Sequence, residues 1–212
     1  MTDPADGAPD AAPDAAPGAA PGGARPRRRR KRVLIEMGIT ILAAVLLAGL
    51  VRSFAFQTFW IPTSSMEPTL GVYDRILVQK AFFTWRDVRE GDIVVFSHPP
   101  LEHCGGPPGG DLVKRVIALP GQTIYSSGNS IYINGRRLAE PYLPHDDPLG
   151  LPIPGASSQH PYRVPPGEFY MMGDNRAASC DSRYWGPITG SSMIGKVVLT
   201  LWHNSHPELH GF

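Results

Sequence analysis

The chain has 212 residues and a formal net charge of +1, a length that suits one domain with an appendage. The near-neutral balance hides an asymmetry: seven of the 20 Lys+Arg crowd into 25–32, while 53–212 holds 12 Lys+Arg against 14 Asp+Glu. That part has no positive excess to neutralise phosphates, which argues against a nucleic-acid partner, and two cysteines (104 and 180) are too few for a disulfide scaffold or a four-Cys zinc site.

Residues 1–24 are Ala, Pro, Gly and Asp apart from Met1 and Thr2, so nothing offsets the entropy of ordering and a disordered tail is expected. The run RPRRRRKR follows at 25–32, then VLIEMGITILAAVLLAGLV at 33–51 with a single charge, Glu36. Nineteen helical residues span roughly 28 Å, close to the ~30 Å hydrocarbon core. Three readings compete: a core helix, which leaves the basic flank unexplained; a cleaved signal peptide, whose apolar region is shorter; and an uncleaved membrane anchor. The anchor fits best, and the basic cluster then sets the N-terminus in the cytoplasm and exports the rest. The next segment, SFAFQTFW at 53–60, carries aromatics that suit a membrane interface; ordinary core packing is the alternative.

Beyond it the pattern is β. Short β-branched and aromatic runs occur at 74–82, 92–96, 111–119, 130–135, 167–173 and 196–202. Turn residues separate them, among them Pro120-Gly121 and Asn134-Gly135. Two Pro/Gly-rich loops, 97–110 and 141–166, are long enough to be functional or mobile. No GxSxG, HExxH, P-loop or GxGxxG is present, and none of the seven His has a signature neighbourhood. Two segments stand out instead: IPTSSMEPTL at 61–70 and DLVKRVIALPG at 111–121. Alternation puts Lys114 on one strand face with Leu112, Val116 and Ala118. Desolvation there disfavours the ammonium, which makes a general base possible. A strand lysine reaching out to solvent satisfies the same alternation.

SSMEPTL (64–70), DRILV (74–78), GDIVVF (91–96), VKRVIALPG (113–121) and MMGDNRAASCDSRYWGP (171–187) resemble, in order, the motif boxes of bacterial type I signal peptidases. The composition, with Arg over Lys 16 to 4, suits a GC-rich genome, and with it the resemblance implies a GC-rich Gram-positive source. The resemblance covers roughly 33–202. It implies a mostly β fold, an antiparallel catalytic domain shared with self-cleaving repressors of the LexA kind, tethered by one transmembrane helix. The domains would be a cytoplasmic tail at 1–32, the membrane helix at 33–51 and an extracytoplasmic catalytic domain at 52–212. The implied activity is a membrane-bound Ser-Lys endopeptidase that removes signal peptides from exported preproteins, cutting after small residues, with no metal or cofactor.

By motif position Ser65 is the nucleophile and Lys114 the general base. Thr63 supplies an oxyanion-hole hydroxyl where many members have Ser, and Ser64 stands where Gly is frequent. Ser179 orients the lysine, and Asp181 and Arg183 form an ion pair beside the site. Phe59, Ile61, Pro62, Met66, Leu70 and Val113 are candidates to line the substrate pockets, with core packing as the alternative for each. The partners implied are signal-peptide-bearing preproteins, the lipid bilayer and the secretion translocon. Cys104 and Cys180 would come near each other; a disulfide, which an exported compartment permits, and two free thiols are the alternatives. A specialised maturation peptidase, a pseudo-enzyme acting in assembly, and a tethered β binding module are the other readings.

Overall fold

The computed structural model describes residues 27–99, 110–144, 148–202 and 210–211. The expected tail at 1–24 and Cys104 lie outside them. The chain divides into two compact units, Met1–Leu46 and Leu47–Phe212.

Helix α1 runs Arg27–Ala55, extending past the apolar run at both ends. Leu and Ala, both strong helix formers, fill 42–44 and 46–48 at its centre, and no proline interrupts it. It is, among the described residues, one helix long and apolar enough to cross a membrane. That stretch is Lys31–Gly49, with mean hydropathy 1.9 and no buried surface.

Among its described residues the second unit has twelve strands. In chain order they are β1 (Phe56–Trp60), β2 (Arg75–Gln79), β3 (Ile93–Ser97), β4 (Asp111–Ala118), β5 (Thr123–Ser127) and β6 (Ser130–Ile133). They continue with β7 (Arg136–Arg137), β8 (Tyr162–Arg163), β9 (Glu168–Met172), β10 (Ile188–Thr189), β11 (Met193–Trp202) and β12 (His210–Gly211). One four-residue helix, α2 (Ser182–Trp185), precedes β10. The larger sheet is ordered β1-β2-β11-β3-β4-β9-β10, with β12 beside β11; the smaller is β7-β6-β5-β8. Among the described residues every strand pairing is antiparallel. The fold is therefore mostly antiparallel β. All six predicted runs contain strands. The run SFAFQTFW, read above as interfacial, contains β1, the edge of the larger sheet.

The core follows the period of two. On β3, Val94 and Phe96 face a cluster with Val116, Phe169 and Met171, while Ile93 and Val95 face a second with Ile76, Val78 and Leu70. Both faces of this strand are buried, which is why DIVVF reads as a continuous apolar run. A third cluster joins the small sheet (Ile124, Ile131, Ile133) to Ile117, Ala118, Tyr170 and Met172. A register shift between Val116 and Ala118 breaks the simple alternation of β4. Ile117 and Ala118 thus enter one cluster, and the face predicted for Ala118 ends at Val116. The turn Asn134-Gly135 joins β6 to β7 with positive φ at both residues (50° and 77°), the geometry of a two-residue hairpin turn.

Candidate active site

Ser65 sits in a single 3₁₀ turn, Ser64–Met66, on the segment between β1 and β2. The turn is pinned from below and from the side. Met66 and Leu70 are buried in the β2–β3 cluster. Asn175 holds the backbone: its N–H donates to Ser65 O (3.1 Å) and its Nδ2 donates to Ser64 O (3.2 Å). Among the described residues only Tyr73, Phe82 and Asn134 are non-glycine residues with positive φ, so Ser64 carries no left-handed strain.

Lys114 lies at mid-β4, paired in register with Val94 of β3. Leu112 and Val116, its neighbours on that face, join the Val94 cluster. Lys114 is 4% exposed, so it does not reach for solvent. Its Nζ donates to Ser65 Oγ at 2.5 Å. The structure thus brings together two residues that are 49 positions apart. An amine in such contact can also accept the hydroxyl proton when neutral, which activates the oxygen as a nucleophile.

Thr63 is exposed and extended (φ −131°, ψ 155°), and its Oγ1 stands 3.3 Å from Ser65 Oγ. Its hydroxyl therefore lies on the reactive side of the serine. Ser179 is buried beside the turn, but its Oγ makes no hydrogen bond. The hydrogen bond to Lys114 expected of it is therefore not made here; the lysine is turned onto Ser65 instead. Asp181 and Arg183 form the expected ion pair, doubly hydrogen-bonded (2.8 and 2.7 Å), with both side chains fully buried. Asp181 also caps α2 and accepts from Gly173 N, tying the pair to the loop behind Ser65.

The candidate pocket residues separate into two groups. Ile61, Met66 and Leu70 are buried in the core and show a substrate no surface. Phe59 and Val113 are half-buried at the margin of the same cluster, and Pro62 is exposed.

Several participants were not singled out from the sequence. Gly173 is one: a Cβ there would lie 2.3 Å from Ser65 O and 2.2 Å from Ser179 Oγ, so the close approach of this loop needs glycine. Arg115 and Asp174 are others, paired by Nε–Oδ1 (2.8 Å) and Nη2–Oδ2 (2.6 Å), with Thr69 also donating to Asp174. Arg115 stacks on Tyr142, 3.8 Å from the ring centroid. Tyr142 donates to Glu140, which pairs with Arg176, and Arg176 Nε donates to Gly173 O. Burial, with the Glu140 charge second, pushes the Tyr142 phenol far above its ordinary range, so it stays a neutral donor. For Arg176 burial opposes the charge, but the Glu140 hydrogen bond and carboxylate outweigh it, and the pKa is raised. The motif MGDNR was the available signal for Gly173–Arg176; Glu140 and Tyr142 carried none.

An accessible serine hydroxyl against a buried amine, on an antiparallel sheet, has the makings of a serine-type hydrolase. Comparison with known proteins agrees. The family model for signal peptidase, peptidase S26, matches residues 34–202. Probable signal peptidase I-2 of Synechocystis sp. is 36% identical over 169 residues, 79% of this chain and 73% of that protein. Signal peptidase I of Leptolyngbya laminosa is 38% identical over 173 residues, 80% of each chain. A solved signal peptidase I from Enterococcus faecalis aligns with a TM-score of 0.41 and 28% identity, over 52% of this chain and 96% of that one. The chain belongs to the signal peptidase family, peptidase S26, and is a serine peptidase.

Proposed function

We propose that this protein removes N-terminal signal peptides from exported preproteins by a Ser65–Lys114 dyad. The contact between Lys114 Nζ and Ser65 Oγ, buried on the lysine side, carries the reading. Neutral Lys114 accepts the Ser65 proton as Oγ attacks the scissile carbonyl carbon. The Ser65 N–H and the Thr63 hydroxyl face the developing oxyanion. The resulting ammonium returns the proton to the leaving amine, and the mature protein departs. The signal peptide remains as an ester on Ser65. Lys114 then takes a proton from water, the hydroxide attacks the ester, and the proton ends on Ser65 Oγ as the signal peptide leaves.

Ser179, Asp181 and Arg183 support this unit: Asp181 and Arg183 fix the 173–181 loop, and the Ser179 hydroxyl is available to the lysine once Ser65 is acylated. Phe59, Pro62 and Val113 would contact the small residues at −1 and −3, over a floor of Ile61, Met66 and Leu70. The substrate would bind extended, as an added strand.

The basic run would hold the N-terminus in the cytoplasm, with α1 crossing the bilayer and the second unit outside. Exposed aromatics support contact of that unit with lipid: Phe54, Phe56, Trp60 and Phe82 are all exposed, Phe82 at 89%. A translocon beside such an anchor would supply preproteins as they emerge. The test is cleavage of a labelled precursor with an Ala-x-Ala site by the full-length protein in detergent. A single new N-terminus directly after the second Ala is expected, and Leu at −1 should abolish it. A cut elsewhere, insensitive to −1, would refute the reading.

A further inference from the structure

Two arginines hold the parts that carry the Ser65–Lys114 contact. Arg115 follows Lys114 on β4. Its guanidinium binds both oxygens of Asp174 and reaches Gly91 O (2.8 Å) and Thr69 Oγ1 (3.4 Å). Thr69 lies on the nucleophile's own segment, four residues past Ser65. Arg176 follows Asn175, which holds the Ser64 and Ser65 carbonyls, and it donates to Gly173 O (3.0 Å). The base thus has one arginine beside it in the chain, and the residue that holds the nucleophile's backbone has the other.

One side chain touches both. The Tyr142 ring lies against the Arg115 guanidinium, with 3.8 Å from its carbon to the ring centroid. The Tyr142 hydroxyl accepts from Arg176 Nη2 (3.3 Å) and donates to Glu140 Oε1 (3.0 Å), and Glu140 itself pairs with Arg176. A planar guanidinium bonded only along its edge can still tilt; a ring against its face removes that freedom and adds attraction. Little else fixes this segment. Among the described residues the three core clusters include Leu138 but nothing from 139–143. A cavity of about 550 Å³ lies along Glu140, Pro141 and Leu143, and one of about 90 Å³ lies between Tyr142 and Gly91. The segment is placed by the contacts at its tip.

We propose that Tyr142, with Glu140, is a positioning residue for the reaction. Its ring fixes the tilt of Arg115 beside Lys114, and its hydroxyl locks the Glu140–Arg176 pair behind the Ser65 turn. Base and nucleophile are thereby kept in line by a segment that enters from the small sheet. The kinetic part of this inference rests on the proposed Ser65–Lys114 chemistry.

Full-length wild type, Tyr142→Leu, Tyr142→Phe, Glu140→Ala and Gly190→Ala are compared in detergent on the Ala-x-Ala precursor, with kcat, KM and Tm measured for each. Exchange of the Asn175 amide, which donates to Ser65 O, is followed against the amides of β3, which report global opening. Tyr142→Leu and Glu140→Ala should lose at least about tenfold in kcat with KM within about twofold, because a misplacement of about 1 Å at reacting atoms costs on the order of 10²-fold. Tyr142→Phe keeps the ring and should stay within about threefold of wild type. Asn175 should exchange about tenfold faster relative to β3 in Tyr142→Leu and Glu140→Ala. Gly190→Ala should lose Tm without either change. Glu140→Ala carries the same test should Tyr142→Leu fail to fold. Wild-type kcat in the folded variants, or an equal loss in Gly190→Ala at equal Tm, would overturn the inference. A raised KM at unchanged kcat would make Tyr142 a substrate contact and overturn it too. A wild-type enzyme that leaves the precursor uncut overturns the proposed function alone; unchanged Asn175 exchange in Tyr142→Leu and Glu140→Ala then overturns this inference, and faster exchange upholds it.

Discussion

Gly173→Ala isolates the packing behind the nucleophile. The added Cβ would lie 2.3 Å from Ser65 O, 2.2 Å from Ser179 Oγ and 2.5 Å from Ser179 Cβ. The Ser179 hydroxyl can rotate away, but the other two atoms cannot. Reaching even the 3.0 Å floor of real contacts requires a retreat of 0.7 Å between the 173–176 loop and the Ser65 backbone. Gly173 does not use a left-handed φ, so alanine suits its backbone and the cost is spatial alone. Overpacking of this kind costs about 1–3 kcal/mol, or about 2–4 °C in Tm per kcal/mol for a domain of this size. The functional cost should be larger, because a misplacement of about 1 Å at reacting atoms costs on the order of 10²-fold. Gly190→Ala is the control: its Cβ would meet the Trp85 ring at 2.6 Å, an equivalent overpacking in another part of the unit. The assay is kcat/KM on an Ala-x-Ala precursor together with Tm for both variants. Both should lose comparable stability, while only Gly173→Ala loses roughly 10²-fold in kcat/KM. Equal activity losses in the two variants, or none in Gly173→Ala, would refute the claim that this glycine sets the serine's position.

Arg183→Met leaves a fully buried Asp181 without its partner and orphans the Leu149 and Leu151 carbonyls, so urea unfolding should show a loss of about 3–5 kcal/mol. Asp181→Asn in the same chain should recover part of it. Phe82→Gly removes a non-glycine residue at φ 61° and an exposed ring, so Tm should hold or rise. Binding to lipid vesicles should weaken by about tenfold if that ring enters the interface. Cys180 is disulfide-bonded. Thiol titration of the folded chain should therefore find no free thiol before reduction and two after it, since the sequence holds two cysteines.

The strand runs were legible where both faces or one whole face are buried. DIVVF, DLVKRVIA and EFYMM are continuous apolar or alternating runs because β3, β4 and β9 lie in the middle of the larger sheet. The edge was not. β1 reads FQTFW with most side chains exposed, so aromatic content pointed to an interface and hid the pairing with β2. Two-residue strands such as β8 and β10 are fixed by tertiary contacts and leave no periodic trace. In the site, alternation raised Lys114 as a candidate but left solvent as its other destination; only the register with Val94 and the turn at Ser65 settle where it points. Gly173 acts by leaving space and Asn175 by donating to the Ser64 and Ser65 carbonyls, roles that the motif MGDNR marks without specifying. Tyr142 comes from a stretch expected to be loop, with Glu140 just before it, and the two reach the site through Arg115 and Arg176.

The central claim is that Ser65 and Lys114 act as one unit. The most direct test compares wild type, Ser65→Ala and Lys114→Ala, each full-length in detergent, on the same labelled precursor. The account predicts that both substitutions abolish cleavage after the second Ala while near-ultraviolet circular dichroism stays native. Substantial activity in folded Lys114→Ala would contradict it, and the base would have to be sought elsewhere in the chain.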